Sequence, residues 1–207
     1  MFKLKLINFT LCTIYINFTL ASYRIVDIDQ LKAAIRTVND FPITGIAYRD
    51  ITSLTENPEA FNHTLTMFAS GIEAFRGDKI IGIESRGFVF GAPLSDRLRL
   101  PFIMVRKPGK LPNDTYKRSH DLEYGSSSLE IQKNTKIKTF EKIVIMDDLI
   151  ATGGTALACA QLVHENFGVL KKNILIQAVI NLPELSGSDL IKASGYSVQT
   201  LIEFSGT

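Results

Sequence analysis

The fold is decided by one stretch of the sequence, Ile143-Val-Ile-Met-Asp-Asp-Leu-Ile-Ala-Thr-Gly-Gly-Thr155. Its first residues are apolar and mostly β-branched, which predicts a buried strand. Asp147 and Asp148 follow that strand, and the pair Gly153 and Gly154 permits a tight turn that side chains would hinder. The stretch therefore predicts a strand, a polar turn and the start of a helix.

The same unit recurs along the chain. Short apolar runs alternate with stretches that have helical spacing of apolar residues, namely Phe88 to Leu98 and Thr155 to Phe167. This alternation predicts an α/β fold, with a mainly parallel twisted sheet flanked by helices and a site at the carboxyl ends of the strands. The predicted strands are Ile80 to Ile83, Phe102 to Val105, Ile143 to Met146 and Ile174 to Ile180.

Three other regions have local signals. Asp29 is a suitable cap for a helix whose apolar face includes Val38 and which Phe41-Pro42 ends. Asn57 followed by Pro58 predicts the start of a second helix. Between Arg106 and Thr139, Gly and Pro residues interrupt the pattern. A connection of that length inside a compact domain predicts a lid or a small hairpin.

The composition excludes several classes of protein. Lys and Arg number 23 while Asp and Glu number 21, so the overall charge gives no reason to expect nucleic-acid binding. The cysteines, Cys12 and Cys159, form neither a CxxC pair nor a Cys/His cluster, which argues against a disulfide framework and a structural zinc site. The length fits one domain, residues 23–207, with a single active site.

Residues 1–22 form an N-terminal extension that resembles a signal peptide, because Lys3 and Lys5 precede a largely apolar run. Polar residues interrupt that run, and it is too short to be a convincing membrane span. The acceptor sequences at Asn62 and Asn113 would be glycosylated in a secreted protein. Since a glycan at Asn113 would obstruct the predicted lid, we expect a cytoplasmic protein with no membrane attachment, and secretion is the alternative.

The turn after the strand has the donors of an anion site. The main-chain amides of Gly153 and Gly154, the hydroxyls of Thr152 and Thr155 and the helix N-terminus suit a monophosphate. No lysine follows the glycines, so the turn is not a nucleoside-triphosphate P-loop. The adjacent carboxylates can accept hydrogen bonds from paired sugar hydroxyls. A ribose 5-phosphate fits both parts, although each part alone is also typical of an ordinary turn.

Together the thirteen residues closely resemble the phosphoribosyl-pyrophosphate (PRPP) motif of the type I phosphoribosyltransferases. The resemblance implies the fold of that family, with a small hood and a flexible active-site loop beside the sheet. It also implies that Asp147 and Asp148 bind the ribose and that the turn binds phosphate. The turn residues concerned are Ala151, Thr152, Gly153, Gly154 and Thr155.

A second stretch, Phe41-Pro-Ile-Thr-Gly-Ile-Ala-Tyr-Arg-Asp-Ile-Thr, resembles the base-binding segment of the adenine-specific members of that family. The resemblance implies that Ala47, Tyr48 and Arg49 line adenine. A small apolar residue, an aromatic ring and main-chain amides suit a flat, uncharged base. The alternative is that Tyr48 packs in the core and that Arg49 pairs with Asp50 or a neighbour.

Two more stretches resemble pyrophosphate-binding segments of the same family. The stretch Ile83-Glu-Ser-Arg-Gly would bind pyrophosphate through Ser85 and Arg86. The stretch Val105-Arg-Lys-Pro-Gly-Lys-Leu-Pro112 would neutralise the leaving pyrophosphate, although alone it is more typical of a solvated basic turn. Its basic residues are Arg106, Lys107 and Lys110.

A last stretch, Asp121 to Lys133, resembles the hood of the family. The resemblance implies that Glu123 is the proton-handling carboxylate and that Tyr124 and Arg86 are also catalytic. The sequence departs from the family at His120, directly before this stretch, where tyrosine is common. It also departs from the family at Ala47 and Tyr48 in the base segment.

The resemblance implies a purine salvage enzyme that transfers 5-phosphoribosyl from PRPP to adenine, giving AMP and pyrophosphate. It further implies Mg²⁺ held mainly through PRPP, with no strong protein ligand, and a homodimer. Another purine phosphoribosyltransferase and a non-catalytic PRPP-sensing protein remain alternatives at this point, because they would share the sugar-binding motif.

Overall fold

The computed structural model of the protein describes residues 27–122 and 125–206. The helices are α1 (Ile28–Ala33), α2 (Thr52–Glu56), α3 (Pro58–Phe75), α4 (Arg86–Leu98), α5 (Gly154–Phe167) and α6 (Gly187–Ala193), with 3₁₀ turns at Lys171–Asn173 and Pro183–Leu185. The strands are β1 (Arg36–Asn39), β2 (Ala47–Asp50), β3 (Lys79–Ile83), β4 (Phe102–Val105), β5 (Thr115–Leu122), β6 (Gly125–Gln132), β7 (Ile143–Ile150), β8 (Ile174–Asn181) and β9 (Ser197–Glu203).

A five-stranded sheet forms the centre, with the strand order β4-β3-β7-β8-β9. Every neighbouring pair in it is parallel, so the carboxyl ends of the strands lie at one end of the sheet. Helices cover both faces, and β8 is buried along its whole length. The predicted α/β fold, a mainly parallel sheet flanked by helices, is confirmed.

The two faces of the sheet carry separate apolar cores. On one face, Val144 and Met146 of β7 lie in a cluster with Phe68 of α3 and Phe90 of α4. On the other face, Ile145 lies in a second cluster with the apolar side of α5. Alternate residues of one strand therefore fill opposite layers, as the pleat of a strand requires. Full burial of each large apolar side chain stabilises the fold by about 1.5–3 kcal/mol.

The region before the base segment differs from the prediction. α1 is short, and its expected continuation to Val38 is wrong, because Val38 lies in β1 and pairs with Tyr48 of β2. Thr37 and Val38 are β-branched, which favours an extended backbone when a partner strand is present. The N-cap residue of α1 is Asp27, and the predicted cap Asp29 lies inside the helix.

The start of α3 is as predicted. Pro58 is the first helical residue, and the Asn57 side chain accepts a hydrogen bond from the amide of Ala60 at 3.1 Å. The cap satisfies an amide that has no partner within the helix. The sequence therefore located this helix start correctly from two adjacent residues.

β5 and β6 pair as an antiparallel hairpin that packs against α5, and we call residues Thr115–Gln132 the hood. The predicted catalytic residues Glu123 and Tyr124 lie outside the described residues. The extension 1–22 and Cys12 also lie outside them. Within the described part of the chain, no helix combines the length and apolar character that crossing a membrane demands.

Candidate active site

A cavity of about 400 Å³ lies at the carboxyl end of the sheet. The loops that follow β3 and β7 form two of its walls, and the hood and the segment after β4 contribute the others. The cavity brings together the predicted residues Ser85, Arg86, Lys107, Asp147, Asp148, Ala151, Thr152, Gly153, Gly154 and Thr155. Side chains that were not predicted also line it, among them Glu84, His120, Ser127 and Leu129.

The turn between β7 and α5 is shaped by close main-chain packing. Gly153 has a φ of +80°, and a Cβ there would lie 2.7 Å from the carbonyl oxygen of Gly187. A Cβ on Gly187, at the start of α6, would lie 2.1 Å from the carbonyl oxygen of Ala151. Two glycines from different elements thus let the turn curl so that its amides and Thr155 face the cavity. Gly187 carries no local sequence signal for this role, because its partner is distant in the chain.

The two carboxylates at the end of β7 have different surroundings. Asp148 is 1% exposed, and its Oδ2 lies 3.0 Å from Nε of Arg86. Asp147 is the more exposed of the two, and its Oδ1 accepts a hydrogen bond from the amide of Asp148 at 2.9 Å. Burial, followed by the neighbouring carboxylate of Asp148, raises the pKa of Asp147 well above its ordinary value. Asp148 is thus engaged by Arg86, while Asp147 is a partly exposed residue of the cavity wall.

Arg86 connects the sugar site with the base segment. Its Nη1 donates a hydrogen bond to the Tyr48 hydroxyl at 2.8 Å, and its guanidinium lies 5.8 Å from the centre of the Tyr48 ring. Gly87 allows α4 to approach β7, because a Cβ there would lie 2.2 Å from the carbonyl oxygen of Met146. This close approach places Arg86 beside Asp148. Tyr48 also packs edge-on against Phe41, with ring centres 5.0 Å apart.

The side chain of Arg49 points away from the cavity. It is 8% exposed and lies over the ring of Phe204, 4.7 Å from its centre. Its guanidinium donates to Thr37 Oγ1 at 2.6 Å and to the carbonyl oxygens of Ser205 and Gly206 at 2.8 Å each. Any contact of Arg49 with a base in this arrangement must come from its main chain. The cavity lining also omits Ala47, Tyr48, Arg106 and Lys110.

Two carboxylates hold the basic segment after β4. Arg106 donates two hydrogen bonds to Glu84, each 3.2 Å long, and the amide of Lys107 donates to Glu84 at 2.9 Å. The amide of Gly109 donates to Glu130 of the hood at 3.1 Å. The hydrogen bonds from Arg106 lower the pKa of Glu84. Since Glu84 neutralises Arg106, Lys107 is the cation that this segment presents to the cavity.

The arrangement combines an anion cradle, a partly exposed carboxylate and two cations around one cavity. A parallel α/β sheet with this set of groups at its carboxyl end suits a sugar phosphate and agrees with the type I phosphoribosyltransferase motif of the sequence. Residues 50–181 match the phosphoribosyl transferase domain family. The chain belongs to the adenine phosphoribosyltransferases of that family.

Known proteins of this family resemble the chain over most of its length. It is 47% identical to adenine phosphoribosyltransferase of Actinobacillus succinogenes over 182 residues, which cover 86% of this chain and 97% of the relative. A crystal structure of adenine phosphoribosyltransferase from Thermoanaerobacter pseudethanolicus superposes with a TM-score of 0.77 at 42% identity, covering 86% of this chain and all of that one. The enzyme from Giardia lamblia complexed with 9-deazaadenine gives a TM-score of 0.80 at 31% identity, with coverage of 86% and 98%.

Proposed function

We propose that the protein transfers the 5-phosphoribosyl group of PRPP to adenine and releases AMP and pyrophosphate in purine salvage. The observation that carries this proposal is the contact of Arg86 with both Asp148 of the sugar site and Tyr48 of the base segment. One side chain therefore joins the regions that would hold the two substrates. The relatives named adenine phosphoribosyltransferase support the choice of adenine.

The cavity suggests how PRPP is held. The amides of the turn after β7 and the hydroxyl of Thr155 would bind the 5′-phosphate, since a helix N-terminus favours an anion. Asp147 would accept hydrogen bonds from the ribose hydroxyls. Ser85, Arg86 and Lys107 would bind the pyrophosphate, which leaves with a high negative charge.

The reaction breaks the bond from C1 of the ribose to the pyrophosphate oxygen and forms a bond from C1 to N9 of adenine. As the first bond breaks, Arg86 and Lys107 would stabilise the charge that accumulates on the pyrophosphate. N9 of adenine must lose a proton, and Glu123 is the proposed acceptor. Closure of the hood and the basic segment would exclude water, which otherwise attacks the activated sugar.

Mg²⁺ is proposed to enter with the substrate PRPP and not as an ion held mainly by the protein. Among the residues that the structure describes, no three His, Cys, Asp or Glu side chains are grouped closely enough to hold a metal ion. The bound ion would supply further neutralisation of the leaving pyrophosphate.

The enzyme is proposed to act in the cytoplasm as a homodimer. Met104 lies on β4, the edge strand of the central sheet, and is 47% exposed, and Val89 of α4 is 38% exposed. A second copy would cover such side chains, because exposed apolar patches favour association. Sedimentation of the full-length protein would give the mass of two chains if this is correct.

The proposed reaction is tested by supplying different bases as the second substrate. The full-length protein is incubated with Mg²⁺, PRPP and one base at a time, and pyrophosphate release is followed. We expect turnover with adenine and far less with hypoxanthine, guanine, xanthine or orotate. Absence of turnover with adenine would refute the proposal, and binding of PRPP without turnover of any base would indicate a PRPP sensor.

The role of Glu123 has its own test. Glu123→Gln keeps the size of the side chain but removes the proton acceptor, so kcat should fall by about 100-fold while PRPP binding changes little. Steady-state kinetics and PRPP titration measure the two effects. The matched control is Glu59→Gln, which changes an exposed carboxylate in the first turn of α3. A Glu123→Gln enzyme with near-normal kcat would exclude this role.

A further inference from the structure

The hood brings a histidine to the phosphate cradle. Nε2 of His120 on β5 lies 3.2 Å from Oγ1 of Thr155, and both residues line the cavity. His120 pairs with Ser127 of β6, which lines the same wall. The hood therefore contributes side chains to the end of the cavity where α5 begins, in addition to any role of its turn.

The position of Thr155 determines what His120 can reach. Thr155 is in the first turn of α5, where amide groups have no partner within the helix. An anion that accepted hydrogen bonds from these amides and from the Thr155 hydroxyl would lie next to Nε2 of His120, because that nitrogen is within hydrogen-bond distance of the hydroxyl. An imidazole N–H can donate to such an anion, and a protonated imidazole adds a positive charge.

We propose that His120 is a ligand of the 5′-phosphate of PRPP, donating from Nε2 and binding the phosphate more tightly when the imidazole is protonated. The proposal rests on the proposed use of PRPP. It adds to the β7–α5 turn a cationic contact from a different element, the hood. Phosphate binding would then hold the hood against α5, since one anion would bridge the two.

Other titratable and charged groups lie on the elements near His120 and must be considered in a pH experiment. On its own strand, Arg118 forms an ion pair with Glu165 of α5. α5 also contributes Cys159, whose pKa is raised by burial, so this thiol stays neutral at ordinary pH. The remaining walls of the cavity contribute Glu84, Arg86, Lys107, Asp147 and Asp148. All of these groups are present in both proteins, so the part of their titration that is independent of His120 cancels in a ratio of variant to unsubstituted protein.

The test compares His120→Gln with the unsubstituted full-length enzyme at about pH 6 and about pH 8, on either side of the usual titration range of histidine. Glutamine retains a neutral donor but cannot carry a charge. We expect the KM for PRPP to rise about tenfold at the lower pH and about twofold at the higher pH, with the KM for adenine unchanged. His120→Lys keeps a charge at both pH values and should restore PRPP binding at the lower pH.

The outcomes separate this inference from the proposed function. Lack of adenine turnover by the unsubstituted enzyme overturns the proposed function and, with it, the phosphate assignment. If the unsubstituted enzyme is active, two results overturn the inference. One is a KM for PRPP in His120→Gln that equals that of the unsubstituted enzyme. The other is a ratio of the two KM values that is the same at both pH values. An equal rise in the KM for adenine and the KM for PRPP, with no recovery of either in His120→Lys, also overturns the inference. That pattern indicates only a structural role for His120.

Discussion

The turn after β7 lines the active site, and the β1–β2 hairpin contacts it through Tyr48 and Arg86, but different contacts hold these two regions. The turn belongs to the central sheet, and the main chain of α6 presses against it at Gly153. The hairpin is a separate two-stranded sheet, and Arg49 ties it to Ser205 and Gly206 at the other end of the chain. The sugar-phosphate region is therefore fixed by close packing, and the base region by a few distant hydrogen bonds.

This difference indicates how the two substrates are recognised. A phosphate needs donors at exact positions, and backbone packing around glycines maintains such positions. A two-stranded sheet is marginally stable alone, so the hairpin that carries Tyr48 depends on contacts outside it, among them those of Arg49 with Ser205 and Gly206. Changes far from the cavity should therefore affect adenine binding more readily than phosphate binding.

The largest effect is expected from the same substitution made in both regions. Gly153 and Gly45 have φ angles of +80° and +93°, so alanine is strained at either position. Only at Gly153 would the new Cβ also collide, 2.7 Å from the carbonyl oxygen of Gly187. Gly153→Ala should lower the free energy of unfolding by about 3 kcal/mol and kcat/KM for PRPP by about 100-fold.

Gly45→Ala serves as the matched control, because no atom lies within 4 Å of its added Cβ. It should cost about 1 kcal/mol of stability, with kcat/KM for PRPP nearly unchanged. Urea unfolding and steady-state kinetics measure both quantities. Equal losses in the two variants would show that backbone strain alone matters and that packing against α6 does not fix the turn.

The same contrast explains what the sequence could predict. The strand, turn and helix from Ile143 to Thr155 lie within one short stretch, so a local pattern sufficed for them. The continuation of α1 to Val38 was predicted wrongly, because pairing with β2 overrides the local helical spacing.

Other features of the site depend on residues that are distant in the chain. The hydrogen-bonded residues Glu84 and Arg106 lie 22 positions apart in the chain. The hydrogen-bonded residues Arg49 and Ser205 lie 156 positions apart. Neither pairing has a signal in a single sequence, because nothing local specifies the partner. The contact of His120 with Thr155 likewise requires the hood to fold over α5 before the two side chains meet.

An intermediate effect is expected from Arg49→Lys. An ammonium group cannot reproduce the three hydrogen bonds of the guanidinium, so the free energy of unfolding should fall by about 2 kcal/mol. As the hairpin loosens, the KM for adenine should rise roughly fivefold while the KM for PRPP stays unchanged. Kinetics with each substrate varied in turn would measure this split.

The control for that variant is Arg36→Lys on the same hairpin. Arg36 is 57% exposed and pairs with Asp50, and exposed ion pairs contribute little, so a loss below about 0.5 kcal/mol is expected. If Arg49→Lys raised the KM for PRPP as much as that for adenine, the base region would not be the independent unit described above.

The smallest effect concerns the acid stability of the hairpin. Hydrogen bonds from Thr52 and then from Arg36 lower the pKa of Asp50 to about 2. Because the folded pKa lies below the unfolded one, ionised Asp50 contributes stability above about pH 4, and that contribution is lost as the pH falls toward 2. Asp50→Asn should therefore lower the free energy of unfolding at neutral pH. The difference in that free energy between the variant and the unsubstituted protein should become smaller in acid. Urea unfolding at about pH 6 and about pH 3 measures the change. A difference that stayed constant, or grew in acid, would mean that the charge of Asp50 does not stabilise the base region.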